Sequence, residues 1–222
     1  PYPTLFRSSA MNPRLLRATA CHSLPEPPVD GAWACFSPCG HYRWWLGRCW
    51  QPGAPTLLFI GLNPSRADGG PNGAGDDPTL RRLQRFARGW GFGALEVLNL
   101  FSWISPDPRA LLRCRDPVGC STDAWIRSRI RHHHNLGPSP VPLWLGWGNG
   151  GCLQGRDRQL LIGLNDLPLR LLCLDTTLLG QPRHPLYARG DCCLRPFAPS
   201  WDQRLELSAL PCPARPAASL SI

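Results

Sequence analysis

Four short apolar runs, separated by segments of helical periodicity, constrain the fold of this 222-residue chain more than any other feature. The runs are residues 56–60, 95–100, 141–147 and 169–174. Short, largely apolar runs are typical of strands that are buried on both faces of a sheet. Strands that alternate with helices pair in parallel through crossover helices. We therefore predict an α/β fold, a three-layer α/β/α sandwich with a mostly parallel sheet of about four strands.

The clearest helical segment is residues 78–90, where apolar side chains recur on one face and arginines occupy the other. Asp77 is placed to cap its first turn, and Pro78 suits the first helical position. The arginine face is either a phosphate-binding stripe or a solvated helix surface, and the second is the more common use of such a face. Further helices are predicted over residues 108–113, 123–132 and 156–164.

The amino-acid composition indicates how the chain is divided into domains. Hydrophobic residues make up 43% of the chain, which is enough for a packed core. Residues 1–30 and 198–222 are rich in Pro, Ala and Ser without sustained periodicity, so we predict disordered tails around a single domain at 31–197. The longest apolar run, residues 56–62, is too short to cross a bilayer, and we expect no membrane association.

The charge of the chain gives a hint about its partners. All 24 basic residues are arginines against 15 acidic ones, a formal net charge of +9. Arginine binds phosphate through a bidentate fork, which indicates DNA or a nucleotide as a partner. A genome composition that favours arginine explains the same excess, so both interpretations stay open. The oligomeric state is not determined by these features.

Eleven cysteines, an odd number with irregular spacing, favour reduced thiols and a cytoplasmic location. The densest group is Cys35, Cys39 and Cys49 with His41 between them, a spacing that fits structural zinc poorly. The run 132–134 is all histidine and is predicted to be an exposed helix end. We expect no metal, and without a Walker loop or dinucleotide fingerprint we expect no cofactor.

The predicted fold also locates a site, because ligands of parallel sheets bind outside the carboxyl ends of the strands. The segments that follow the four runs are 61–65, 99–101, 147–149 and 181–187. If the strands are parallel, all four segments face one crevice. Asn63 lies within a rigid Gly-Leu-Asn-Pro turn that aims its amide. Asn99 ends an apolar strand, and His184 lies in a proline-bracketed loop where it would shuttle a proton or stabilise an anion.

Six ordered motifs resemble a known family. They are LLFIGLNPSRAD, DDPTLRR, FARGWGFGALEVLNLF, DPVGCSTDAW, WGNGG and GQPRHPLY, and SPCGHYRWWLGRCW at 37–50 is similar to the family's entry region. Together they resemble the bacterial and phage family called domain of unknown function 1643, over about residues 35–196. The resemblance to that family implies no particular activity, because the family has no established one.

A more distant resemblance, to the uracil-DNA glycosylase superfamily, does imply chemistry. The order of Gly61–Ser65, the Asn99 strand end, Trp147-Gly148 and His184-Pro185 is similar to that superfamily's motifs. The resemblance implies an N-glycosidic hydrolase for a modified or mismatched base in nucleic acid, or for a nucleoside-like substrate. Catalysis is then expected from Asn63, which orients water, and His184, which stabilises the departing base. Expected substrate-binding residues are Gly61, Ser65, Asn99, Phe101, Trp147, Asn149, Arg183 and Tyr187, with Phe101 or Tyr187 stacking on the base and Asp68 or Asp76 as an assisting acid.

Two other functional classes compete with the hydrolase. A non-catalytic nucleic-acid or nucleotide-binding module would keep the crevice and bind without forming product. An interaction protein would use its ten tryptophans as an exposed adhesive face away from the crevice.

Overall fold

The computed structural model describes residues 15–17, 31–65, 75–137 and 139–199. The strands are β1 (Leu15–Arg17), β2 (Gly31–Phe36), β3 (Arg43–Cys49), β4 (Thr56–Gly61), β5 (Ala94–Asn99), β6 (Val141–Leu145), β7 (Leu169–Cys173) and β8 (Arg195–Pro196). The α-helices are α1 (Pro78–Gly89), α2 (Thr122–Leu136) and α3 (Arg156–Gly163). Short 3₁₀ segments cover Pro108–Leu112, Gly148–Gly155 and Pro185–Tyr187.

All eight strands form one sheet, in the order β1-β2-β3-β5-β4-β6-β7-β8. The four predicted strands, β4 to β7, are neighbours and run parallel, as expected from their connection by helices. The predicted number of four strands was wrong, since β3 joins β5 antiparallel and β2 joins β3 antiparallel, while β8 closes the other edge. The α/β class is confirmed.

Two hydrophobic clusters lie on opposite faces of the sheet because successive strand residues point to opposite sides. On β4, Leu57 and Phe59 pack with the apolar face of α1, whereas Leu58 and Ile60 pack with α2 and α3. Since β4 is central and contributes to both clusters, its last residues are held rigidly where the chain leaves the sheet.

Helix α1 forms as its sequence predicts. Asp77 caps it, accepting a hydrogen bond of 2.7 Å from the backbone N–H of Leu80. On the arginine face, Arg82 donates to the carbonyl of Ala188 at 2.5 Å, and Arg88 lies over the Trp50 ring at 4.1 Å. Part of the arginine face of α1 therefore makes contacts within the protein.

A buried ionic cluster joins α2 to the sheet. Glu96 on β5 is 2% exposed and accepts hydrogen bonds from the Trp45 indole at 2.9 Å and from Arg129 at 2.8 and 2.9 Å. His133 Nε2 lies 3.1 Å from the same carboxylate. The expectation that residues 132–134 are an exposed helix end was therefore wrong: all three histidines are half-buried within α2. His133 reaches back to a buried charge one turn beyond Arg129.

The tryptophans in the described part of the chain do not form the adhesive face that an interaction protein would present. Nine of the ten are in the described ranges, and all nine are buried or half-buried. Within those ranges no helix is both long and apolar enough to cross a bilayer. The predicted tails lie outside the described residues, apart from 15–17, which pair with β2, and 198–199.

Candidate active site

A cavity of about 670 Å³ opens at the carboxyl ends of the parallel strands. All four segments that follow β4, β5, β6 and β7 contribute to its lining. The predicted residues that line it are Gly61, Asn63, Ser65, Asn99, Trp147, Asn149, Arg183, His184 and Tyr187. A cavity of this size with a few converging polar groups is suited to a small molecule or a single nucleobase.

Asn63 is fixed by its amide nitrogen. Nδ2 donates to the carbonyl of Ser105 at 2.9 Å and to the carbonyl of Pro64 at 3.1 Å. Since both N–H bonds are used, Oδ1 faces away from those carbonyls and remains as the acceptor of the side chain. The turn after β4 therefore presents an oriented hydrogen-bond acceptor to the cavity.

Asn99 is 4% exposed at the end of β5, and its Nδ2 has no hydrogen-bond partner in the described part of the chain. Its Oδ1 faces Gly61, where a side-chain carbon would lie 3.2 Å from that oxygen and 3.0 Å from the Phe59 ring. A buried donor without a partner costs about 1–3 kcal/mol. A ligand acceptor in the cavity would remove that cost.

His184 is held in one tautomer by the backbone. Its Nδ1 accepts a hydrogen bond of 3.3 Å from the Leu186 N–H, so in the neutral ring the proton is on Nε2. Burial lowers the pKa of His184 below its ordinary value of 6.5, and the nearby Asp77 carboxylate opposes this shift more weakly. At neutral pH the ring is thus an uncharged donor through Nε2.

Hydrogen bonds made by Trp147 and Asn149 fix the part of the cavity wall that follows β6. The Trp147 indole donates to Gln181 at 2.7 Å, and Gln181 in turn donates to Asp157 at 2.7 Å. Asn149 accepts from the Thr177 hydroxyl at 2.6 Å. These bonds tie the end of β6 to the loop that follows β7, so the two halves of the wall are fixed together.

Three predicted residues do not fit their expected roles or cannot be placed. Phe101 is fully buried in the core under α2, so it has no face for stacking on a base. Asp76 does not line the cavity, because its carboxylate forms a buried ion pair with Arg48. Asp68 lies outside the described residues.

The chain matches one family model, described as a protein of unknown function, DUF1643, over residues 43–186. The chain belongs to this family. No curated protein and no solved structure matches it. The region matched to DUF1643 contains the whole described lining of the cavity except Tyr187.

The DUF1643 cavity also contains residues that sequence reasoning missed. Of the described lining residues, Asp77 is the only one with a carboxylate, and Arg43 places a buried guanidinium in the same wall. Asp77 was predicted only as a helix cap, although its position beside the first turn of α1 also directs it to the crevice. The signal for Arg43 was a charged residue that begins an apolar, tryptophan-rich run.

The described part of this DUF1643 protein contains no cluster of three His, Cys, Asp or Glu side chains placed to hold a metal ion. Cys35 lies inside the core and Cys39 on the exposed turn that follows β2. The polar side chains of the described cavity lining are amides, hydroxyls, an imidazole, a carboxylate and guanidinium groups.

Proposed function

We propose that this chain is an N-glycosidic hydrolase with a three-layer architecture of the uracil-DNA glycosylase type. Its substrate is a modified or mismatched base in nucleic acid, or a nucleoside-like molecule. The observation that carries the proposal is Asn99 Nδ2, which is buried, has no hydrogen-bond partner among the described residues and belongs to a residue of the same cavity lining as Asn63 and His184. A base carbonyl is an acceptor that would satisfy this donor.

In the proposed reaction, Asn63, His184 and Asp77 each have one role. A water held by Asn63 Oδ1 attacks the sugar C1′, and the bond between C1′ and the base nitrogen breaks. The departing base keeps the electron pair, and His184 Nε2–H donates to the developing anion. A neutral amide is too weak a base to take the water's proton, so that proton passes to Asp77 and from Asp77 to the departed base anion. The products are the neutral base and a sugar with a hydroxyl group at C1′, and Asp77 is again a carboxylate.

A base-release assay tests the proposal. Duplex and single-stranded oligonucleotides carrying uracil, hypoxanthine, xanthine or mismatched thymine are incubated with the full chain, and alkaline cleavage reveals abasic sites. Release of one of these bases is the expected result. Retention of the oligonucleotide without release, weakened steeply by salt, would instead support the binding module.

Replacing Asn99 by alanine separates a ligand-binding role from a structural one. We expect base release to fall about 10- to 100-fold, because one hydrogen bond to a buried polar group is lost. The free energy of unfolding of the unliganded variant should not fall, since the donor removed has no described partner. Asn135→Ala, at the exposed end of α2, is the matched control and should change neither quantity. A destabilised Asn99→Ala variant with normal base release would contradict the assignment.

The pH dependence of base release tests His184. The neutral ring predominates near pH 7, because burial lowers the pKa of His184 below 6.5. Acidification through that lowered pKa adds a proton to Nδ1, which then cannot accept from the Leu186 N–H. We therefore expect kcat/KM to fall on the acid side with a midpoint below 6.5. A rate that rises over this range would show that the imidazolium is the active form.

A further inference from the structure

The cavity wall contains a buried positive charge that the proposed reaction does not use. Arg43 begins β3 and lines the cavity, yet it is only 4% exposed. Its backbone N–H donates to the Ser102 carbonyl at 3.0 Å, which fixes the start of β3 to the segment that follows β5. A guanidinium has five N–H donors in a planar fork that matches the oxygens of phosphate, so it can bind a ligand anion in addition to groups of the protein.

Burial distinguishes Arg43 from Arg183, the other arginine of the described lining. Arg183 is half-buried, and its Nε lies 3.7 Å from the carboxylate of Asp175. Arg43 lies in the protein interior, where solvent screens a charge least. Of the two guanidinium groups, that of Arg43 therefore acts more strongly on a ligand in the cavity.

Arg43 lies one strand away from the proposed base-binding residue, Asn99. Leu46 on β3 pairs with Val97 on β5, so Arg43 and Asn99 lie at the same end of two adjacent strands. Adjacent strands are about 4.8 Å apart. A single nucleotide is therefore long enough to contact Asn99 with its base and Arg43 with its phosphate.

The burial of Arg43 also limits the kind of anion that can reach it. A phosphodiester inside a polymer continues in two directions, and both chains would have to leave the cavity. A phosphate monoester is an end group, so it can be enclosed together with its nucleoside. The cavity volume of about 670 Å³ is in the range of pockets that enclose a whole small molecule. These features favour a free nucleotide as the ligand.

We propose that Arg43 binds the phosphate monoester of a free nucleotide whose base is bound by Asn99. The inference rests on the proposed function and narrows its substrate class to a nucleoside monophosphate. Uncharged nucleosides and oligonucleotides are then poorer substrates.

Isothermal titration calorimetry on the full chain tests the phosphate contact without hydrolysis. Nucleosides of uracil, hypoxanthine, xanthine and thymine are compared with their 5′- and 3′-monophosphates. All titrated chains carry Asn63→Ala, which slows base release and keeps the ligand intact. In this background Arg43→Gln and Arg43→Lys are compared with Arg113→Gln. Arg113 is the matched control because its side chain is 79% exposed and is not part of the described lining.

With Arg113→Gln we expect at least one monophosphate to bind about 10- to 100-fold more tightly than its nucleoside, the usual effect of charge-assisted hydrogen bonds. Arg43→Gln should lose this preference and keep its affinity for the nucleoside. Arg43→Lys should retain part of the preference, because lysine keeps the charge without the planar fork.

Two results would overturn the proposal. One is equal affinity for nucleoside and monophosphates when Arg43 is present, a comparison that does not depend on the folding of any Arg43 variant. The other is an Arg43→Gln variant that weakens nucleoside and monophosphate equally, which would place Arg43 against the base.

Base release from the same ligands, measured with the chain that retains Asn63, separates this inference from the hydrolase. Faster release from a monophosphate than from its nucleoside or an oligonucleotide would support both. Tighter binding of a monophosphate without base release from any substrate would overturn the hydrolase and keep the phosphate contact of Arg43. Release that is at least as fast from nucleosides or oligonucleotides would keep the hydrolase and overturn the narrower substrate class.

Discussion

Replacing Glu96 by glutamine is expected to lower the free energy of unfolding by about 3–5 kcal/mol, the usual cost of breaking a buried ion pair from one side. Glu96 is buried between β5 and α2 and binds Trp45, Arg129 and His133. Glutamine has nearly the same shape but no charge, so Arg129 would remain in the core without its counter-ion. Urea denaturation at pH 7 measures the loss.

The same carboxylate makes stability depend on pH. Burial by itself raises the pKa of Glu96, but the hydrogen bond from His133 and the charge of Arg129 outweigh it and lower the pKa from 4.5 to about 2. Because the folded-state pKa is the lower one, the contribution is fully present above pH 4.5 and is lost as the pH falls towards 2. The difference between wild type and Glu96→Gln should shrink over that interval.

An exposed pair provides the control for Glu96. Asp166 binds Arg127 at the surface with good geometry, with two hydrogen bonds of 2.6 and 2.8 Å. Solvent screens such pairs, so Asp166→Asn should destabilise the protein far less than Glu96→Gln. Equal effects of the two substitutions, or a difference that does not vary with pH, would show that Glu96 is not the ionic anchor of α2.

The part of the fold that sequence predicted is the part whose strands are mostly apolar. Strands β4 to β7 are largely buried, and their apolar composition reports this burial although β5 contains Glu96 and Asn99 and β7 contains Arg170. Strand β3 is buried too, yet it begins with Arg43 and contains Arg48, which interrupt its apolar pattern. Arg48 is tolerated because it pairs with Asp76, 28 residues along the chain. Such a partner cannot be found from local periodicity.

Partners that are distant in sequence also explain why some site residues were predicted and others were missed. Strand ends locate Asn63, Asn99 and His184, because parallel strands direct their carboxyl ends to one edge. Which of two adjacent aspartates faces that edge depends on packing: Asp76 turns to Arg48, and Asp77 faces the cavity. A pattern in sequence gives the place of a residue along the chain but not the partner that its side chain selects.

Replacing Asn63 by alanine is expected to reduce kcat for base release by about 10²–10⁴-fold, the range typical of a group that positions or activates the attacking water. The substitution removes Oδ1, the acceptor that orients the water, while His184 and Asn99 stay in place. It also removes the two hydrogen bonds from Nδ2 to Ser105 and Pro64, so a modest loss of stability accompanies it.

The kinetic constants distinguish this role from a purely structural one. Loss of the water-orienting group should lower kcat and leave KM nearly unchanged, since the base is bound by Asn99 and the cavity wall. Assays run well below the melting temperature of the variant, beside Asn135→Ala, keep folding out of the comparison. If Asn63→Ala turns over at the wild-type rate, Asn63 does not orient the water, and the hydrolase would have to obtain its nucleophile through Asp77 alone.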